Sequence, residues 1–417
     1  MARRTKKKAK FEDKDRISKL PDELIHHILG YVGMGLAVQT SVLSKRWKLL
    51  WTTLPFLNFD GYDKHYSSKK LKFYRVLKRV FFHRNHEYRM FKLVLHHRPG
   101  LTMHKLEKYV KYAILHNVEC LDLRTNHYCP LLMFSSNFLR ELKLTMDFES
   151  DNVMESNRWT LPNLTTLFLK PTGKIRRMFL VSCLTCLPAL TTLGLNQCVL
   201  PDFFSLPGLR TLCLESCDLA QNVWDLPALL SLQLTNVSFK EDMIESLVSL
   251  RNLTIDFDDL NIGCCNIFSS QLVNLNIRAP LRSVKKSDNI VVQAPRLCNF
   301  NAIGFFRTTI RGSELKKVNV KFWDKTMYRN NRAPSWVLKR HKDLFQMMFS
   351  QLGSAEMLSV DLVTLQALSG VPEILENLSS PFYNLKNLKL PPKCEESIIS
   401  SPVRHYLLGG SLSATVV

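Results

Sequence analysis

One leucine pattern constrains this chain more than any other feature. It reads LPNLTTLFL at 161–169, LPALTTLGLNQCVL at 187–200, LPGLRTLCLESCDL at 206–219 and LPALLSLQLTNVSF at 226–239. Each copy has the form L-x-x-L-x-x-L-x-L. The terminal L-x-L points two side chains to the same side of a short strand, because side chains alternate across a strand. The earlier leucines turn inward from the approach to it. One such unit cannot cover its own apolar face, so copies in register must stack and bury a continuous leucine core. The pattern therefore predicts a solenoid of short parallel strands.

Weaker copies flank the four. Leu139, Leu142 and Leu144 precede them, and Leu250, Leu253 and Ile255, then Leu272, Leu275 and Ile277, follow. Further on come Leu297 and Phe300, then Leu315, Val318 and Val320, and a last copy at Leu385, Leu388 and Leu390. Corresponding leucines recur at about 18–28 residues, the signature of leucine-rich repeats. Cys198 and Cys217 stand three positions beyond the last Leu, where a small polar group can meet turn backbone. The array breaks at 323–350, where Ser335 can cap a helix with Val337, Leu344, Phe345, Met348, Phe349 and Leu352 inward. Met347 and Met348 are read there as core. Upstream, Leu106, Tyr109, Val110, Ala113 and Ile114 predict an amphipathic helix over 103–116. Phe91, Leu93 and Leu95 alternate as a strand does, which starts the solenoid near residue 90.

Composition excludes several classes. The 417 residues are 46% hydrophobic and 22% charged, ordinary for a folded protein. No apolar run reaches the roughly 18–20 residues that span a bilayer. The eleven cysteines are an odd number and fall mostly singly among leucines, which predicts buried thiols rather than a secreted disulfide framework. Cys183 and Cys186 form a Cys-x-x-Cys pair with no second pair or His at zinc-ligand spacing. No Gly-rich phosphate loop, His-Glu-x-x-His helix or G-x-S-x-G turn occurs. His26–His27 falls on a helix, and His96–His97 has no evident carboxylate or Cys partner in the sequence. Hence no catalytic residue, metal site or cofactor is expected.

Charge is less ordinary. The formal net charge is +21, and such a field attracts acidic partners or nucleic acid. Six Lys or Arg lie in the first ten residues, a tail too polar to fold and compatible with nuclear import. Between 64 and 111, Lys69, Lys70, Lys72, Arg75, Lys78, Arg79 and Arg84 interleave with Phe73, Tyr74, Phe81 and Phe82. Basic residues among aromatics can serve phosphate contact and base stacking. Phe73, Leu77, Val80 and Phe81 also sit at helix-core spacing, so the plain alternative is a solvated basic helix face.

Residues 15–60 carry a second dense apolar pattern. Pro21 suits a first helical position, and Asp22 and Glu23 complement the positive helix start. Leu24, Ile25, Ile28, Leu29 and Val32 form one apolar face; Gly33 and Gly35 break the helix. Leu43, Trp47, Leu50 and Trp51 then follow helical spacing. A unit of about 45 residues gains much from a partner surface.

The stretch Asp15-Arg16-Ile17-Ser18-Lys19-Leu20-Pro21-Asp22, with Val42-Leu43-Ser44-Lys45-Arg46-Trp47 and Leu50-Trp51 after it, resembles the F-box of plant F-box/leucine-rich-repeat proteins. The domain order is also that family's, and Pro381–Leu385 through Tyr406–Ser411 resembles its terminal repeat. The resemblance implies a non-catalytic substrate-recognition subunit of a Skp–cullin–F-box ubiquitin ligase. By carry-over, Leu20, Pro21, Ile25, Ile28, Leu29, Val38, Val42, Leu43 and Trp47 contact a Skp-type adaptor, and through it a cullin, or support that surface. One departure is visible. Family members carry a Leu-Pro-x-Lys-Asp/Glu-Ala-Val turn where this chain has Tyr31-Val32-Gly33-Met34-Gly35-Leu36-Ala37-Val38, whose glycines add unfolded-state entropy and lower the expected adaptor affinity.

The expected organisation is an α/β chain: a disordered basic tail at 1–14, an F-box at 15–60, and a basic helical connector at 61–89. A leucine-rich-repeat solenoid follows over 90–417, with an insertion near 323–350 and a cap at 381–417. A target protein on the repeats, no membrane contact, and residence in nucleus or cytoplasm complete the expectation.

Overall fold

A computed structural model describes residues 19–62, 70–97, 102–128, 131–147, 159–172, 184, 186–219, 223–239, 241–257, 264–279, 289–304, 306–322, 338–339, 342–391, 394, 399–411 and 413–417. The basic tail, the first F-box residues, Lys69, Cys183, Ser335 and Val337 lie outside that set. The chain divides into two compact units, Met1–Lys174 and Ile175–Val417.

The first unit opens with α1 (Asp22–Gln39) and the single turn α2 (Trp47–Leu50). Then come β1 (Phe56–Asp60), α3 (Lys70–His83), β2 (Lys92–His96), α4 (Met103–Leu115), β3 (Cys120–Tyr128), β4 (Glu141–Asp147) and β5 (Thr166–Pro171). The five strands form one parallel sheet in sequence order. Its register aligns Leu57, Leu93, Leu121, Leu142 and Leu167 in one row. Phe59, Leu95, Leu123, Leu144 and Leu169 form the next, and both rows are buried. Parallel neighbours need a crossover to return the chain, and α3 and α4 supply it between β1, β2 and β3. They bury Phe73, Leu77, Val80 and Phe81 from α3 and Leu106, Val110 and Ala113 from α4. Phe81 stacks on Phe59 at 5.8 Å and meets Tyr109 at 4.6 Å. After α4, Asn117 takes φ 55°, and the Val118 N–H reaches back to the Ala113 carbonyl at 3.1 Å. That is a left-handed helix stop on asparagine.

The sheet therefore begins at Phe56, not near residue 90. Leu57 and Phe59 alternate as Leu93 and Leu95 do, so the last strand of the segment read as F-box is also the first strand of the sheet.

Among its described residues the second unit carries ten parallel strands in one sheet, from Thr192–Asn196 to Thr415–Val416. The strand residues of the repeats read from the sequence take their place in register: Leu193, Leu212, Leu232, Leu253, Leu275, Phe300 and Val318 are aligned and buried. Gln197, Ser216 and Asn236 repeat one turn, each at positive φ just past its strand. Each donates its N–H to the next strand at 2.8 Å, on Glu215, Thr235 and Asp256 respectively. The very next residue, Cys198 in the first turn and Cys217 in the second, is buried. Cys198 Sγ donates to the Asn196 carbonyl at 3.3 Å and Cys217 Sγ to that of Leu195 at 3.4 Å. Short strands also lie in the crossings, as a pair (Phe203–Ser205, Val223–Asp225) and a trio (Cys264–Phe268, Asn289–Gln293, Thr308–Arg311).

The break in the array is an enlarged crossing. A helix, Lys342–Ser350, buries Phe345, Met348 and Phe349. The Phe345 and Phe349 rings, 4.7 Å apart, meet Phe322, Phe382 and Tyr406 at 5.5–6.3 Å, so crossing and C-terminal cap share one aromatic core. Burial pushes the Tyr406 hydroxyl pKa up. Met347, read as core, is exposed, because it points away from that cluster. The array then resumes in a strand absent from the leucine reading, Met357–Val360, which aligns Leu358 between Val318 and Leu388.

Candidate protein-docking surface

The helical unit of residues 20–54 has two apolar sides. Pro21 precedes α1, and its carbonyl accepts from the N–H groups of Leu24 and Ile25 at 3.1 Å. Asp22 and Glu23 occupy the first turn, as the helix dipole favours. Ile25, Leu29, Met34, Ala37 and Val38 face inward and join Trp47, Leu50, Trp51 and Leu54 in a core laid against β1. Outward point Leu24, Ile28, Tyr31, Leu36, Val42, Leu43 and Leu49. Tyr31, Val42 and Leu43 are 79%, 85% and 65% exposed. Single exposed leucines are normal on a protein surface, but seven large apolar side chains exposed within residues 24–49 make this unit a candidate docking surface.

The backbone presents that surface through one kink. Gly33 has φ 72° and ψ 157°, a region open in practice to glycine only. Gly35, also read as a breaker, stays inside the helix and is buried. The segment after the kink ends on side-chain bonds: Thr40 Oγ1 donates to the Ala37 carbonyl at 2.7 Å and Ser41 Oγ to that of Val38 at 2.6 Å. Ser44 Oγ then accepts the Trp47 N–H at 3.3 Å and starts α2. Arg46 pairs with Asp22, and His26 Nε2 meets Thr53 Oγ1 at 3.0 Å.

The nine residues carried over from the resemblance divide accordingly. Pro21, Ile28, Val42 and Leu43 are exposed and Leu20 is half-buried. Ile25, Leu29, Val38 and Trp47 are buried in the unit's own core. Leu24, Tyr31, Leu36 and Leu49 are exposed on the same unit and stand outside the nine. Leu24, Ile28 and Tyr31 lie at i, i+4, i+7 beside the buried Ile25 and Leu29. An apolar arc that wide exceeds what one-sided burial needs, and this was the available signal.

The basic connector looks different in three dimensions. Arg84 is 2% exposed. Its guanidinium donates to the carbonyls of Leu54 at 2.5 Å, Tyr88 at 3.3 Å and Arg89 at 3.2 Å. Burial lowers its pKa, partly offset by Tyr112. With Phe73 and Phe81 also buried, three of the residues read as candidates for nucleic-acid contact serve packing instead. Arg75, Lys78, Arg79 and Phe82 are exposed.

His96 departs from its sequence reading too. The sheet brings Asp122 Oδ1 to 2.9 Å from its Nε2 and Asp60 Oδ1 to 3.8 Å from its Nδ1. His97 is buried against Thr125 Oγ1 at 2.8 Å. Among the described residues no three His, Cys, Asp or Glu side chains gather as a metal site.

The outward side of the second unit's sheet is polar. Asn252 Nδ2 donates to Ser231 Oγ at 2.9 Å, Asn274 Nδ2 to Asn252 Oδ1 at 2.6 Å and Asn299 Nδ2 to Asn274 Oδ1 at 2.5 Å. Asn319 Nδ2 donates to Asn301 Oδ1 at 2.7 Å in the next row. A primary amide has two N–H donors and two acceptor sites on oxygen, so each rung keeps hydrogen-bonding capacity for a ligand. No described helix is long and apolar enough to cross a membrane.

Comparison with known proteins gives the context of this geometry. The F-box domain model matches residues 17–59. An FBD-associated F-box protein of Arabidopsis thaliana is 30% identical over 352 residues, 80% of this chain and 77% of that protein. A putative F-box/FBD/LRR-repeat protein of the same plant is 27% identical over 90% of this chain and 68% of its own length. A putative F-box/LRR-repeat protein is 29% identical over 53% of this chain and 45% of its own.

Proposed function

The chain belongs to the plant F-box/leucine-rich-repeat family, and from that premise we propose that it is the substrate-recognition subunit of a Skp–cullin–F-box ubiquitin ligase. F-box proteins are in general non-catalytic substrate adaptors. The finer assignment rests on one observation: the helical unit satisfies its own core and still presents seven apolar side chains to solvent. A Skp-type adaptor covers Leu24, Ile28, Val42 and Leu43 and links the chain to a cullin. The amide rows of the repeat sheet take a target protein. Its lysines are then held near the charged ubiquitin-conjugating enzyme, at high effective concentration. Work in the nucleus or cytoplasm, with the basic tail as import signal, belongs to the same proposal.

The test is co-purification of the full chain with a Skp-type adaptor, with Val42→Arg/Leu43→Arg as the comparison. The wild-type chain retains the adaptor at micromolar concentration, and the variant loses it while unfolding at the same temperature. No complex with the wild-type chain refutes the proposal.

A further inference from the structure

Beside the exposed apolar face, the first unit contains a groove of about 1300 Å³. The start of α1 forms one wall, the α2 turn another, and the end of α3 with the loop after it the third. Its size exceeds the roughly 300–1,000 Å³ of an ordinary small-molecule pocket, and its lining sets several charged side chains among apolar ones where such pockets hold only a few polar groups. An extended peptide segment fits both properties better.

The charges inside decide what kind of segment. Arg46 is paired with Asp22, and Arg89 with Glu119 at 2.5 Å. Lys45, Lys48 and Arg79 also line the groove and are exposed, and among the described residues they have no ion-pair partner; Glu23 is the one carboxylate lining it that is likewise unpaired among the described residues. Three free cations in one concavity repel each other and focus a positive field outward. An anionic occupant relieves that repulsion. Val42 and Leu49 line the groove and also belong to the exposed apolar face. Whatever covers that face arrives at the mouth of the groove.

We propose that this groove takes an acidic peptide segment of the same adaptor that covers Val42 and Leu43. The inference rests on the adaptor reading above and adds to it an electrostatic contact in a separate place. Such contacts act chiefly on the rate of encounter and on its salt dependence.

The experiment measures association of the full chain with the Skp-type adaptor at low and high ionic strength. The variant is Lys45→Glu/Lys48→Glu/Arg79→Glu. The control, Lys316→Glu/Lys317→Glu/Lys389→Glu, makes the same change in net charge on exposed side chains of the second unit. The groove variant should associate at least about tenfold more slowly at low salt and show a flattened salt dependence, while the control stays near wild type. Wild-type kinetics in the groove variant, or an equal loss in the control, overturns the inference and leaves the adaptor reading intact. Failure of that reading looks different, because the wild-type chain then binds no adaptor at all and the groove assignment falls with it. Binding of a 20-nucleotide polyuridine that the groove variant loses, with adaptor kinetics unchanged, overturns it in favour of nucleic acid.

Discussion

Arg46 Nε donates to Asp22 Oδ1 at 3.0 Å and Nη2 donates to the same oxygen, joining residues 24 positions apart. Asp22 follows the Leu-Pro pair and Arg46 precedes Trp47, so one ion pair ties together the two ends of the sequence that identify the F-box.

That pair contributes little stability. Its side chains are 38% and 53% exposed, and exposed pairs contribute about 0.2–1 kcal/mol. A double-mutant cycle with Asp22→Asn and Arg46→Gln, followed by urea unfolding, should return a coupling in that range that shrinks in high salt. The value of the pair lies in orienting α2 against α1, and adaptor affinity should fall more than stability does.

Two glycines in α1 make opposite predictions. Gly30 has helical surroundings and nothing within 4 Å of an added Cβ, so Gly30→Ala should stabilise by roughly 0.5–1 kcal/mol. Gly33 also has open space around it but lies at φ 72° and ψ 157°. Gly33→Ala should cost about 1–3 kcal/mol in backbone strain. Thermal unfolding of both variants checks the pair, and equal effects would contradict the kink.

How far the sequence reveals this molecule depends on what each feature needs. The repeat register and the helix at 103–116 rest on local periodicity, and both are found, the helix as Met103–Leu115. Gly33 breaks α1 as its residue type suggests, but Gly35 does not, because burial against the core overrides its freedom. Phe56–Asp60 has only Leu57 and Phe59 to mark it, and it becomes a sheet strand through pairing with residues 36 positions away. Arg84 looks like the other cations in the sequence. Only the three carbonyls that converge on it set it apart, and convergence is a tertiary fact. The exposed half of the F-box was hidden for a related reason, since leucines that meet a partner and leucines that meet the core have the same composition.

Arg84 should be among the least replaceable residues of the first unit. Lysine offers a compact ammonium where the planar fork spans three carbonyls, and each buried acceptor left unpaired costs about 1–3 kcal/mol. Arg84→Lys should therefore destabilise by roughly 2–4 kcal/mol, measured as a lowered urea midpoint. Arg75→Lys, on an exposed face of α3, should change nothing measurable.

The acid limb of stability involves Glu141. Burial pushes its carboxyl up, but the hydrogen bond and charge of Lys143, at 2.7 Å, and the charge of Lys92 outweigh this and leave it below the usual range. A carboxyl depressed by folding contributes stability above its unfolded pKa and loses it as pH falls through the folded value. The gap between wild type and Glu141→Gln in urea midpoint should be present at pH 7 and close as the pH drops below about 4. The neighbouring Cys120 thiol, pushed up to about 11 by burial and then by Glu141, stays protonated throughout and should react slowly with iodoacetamide.

The double membership of Phe56–Asp60 bears on how such a subunit would handle a target. Its residues pair with Lys92–His96 and lie against α1 at once, so no swivel separates the docking helices from the first repeats. On the proposed reading, a pull or twist on the adaptor side reaches those first repeats undamped, through a stiff bracket rather than a tether.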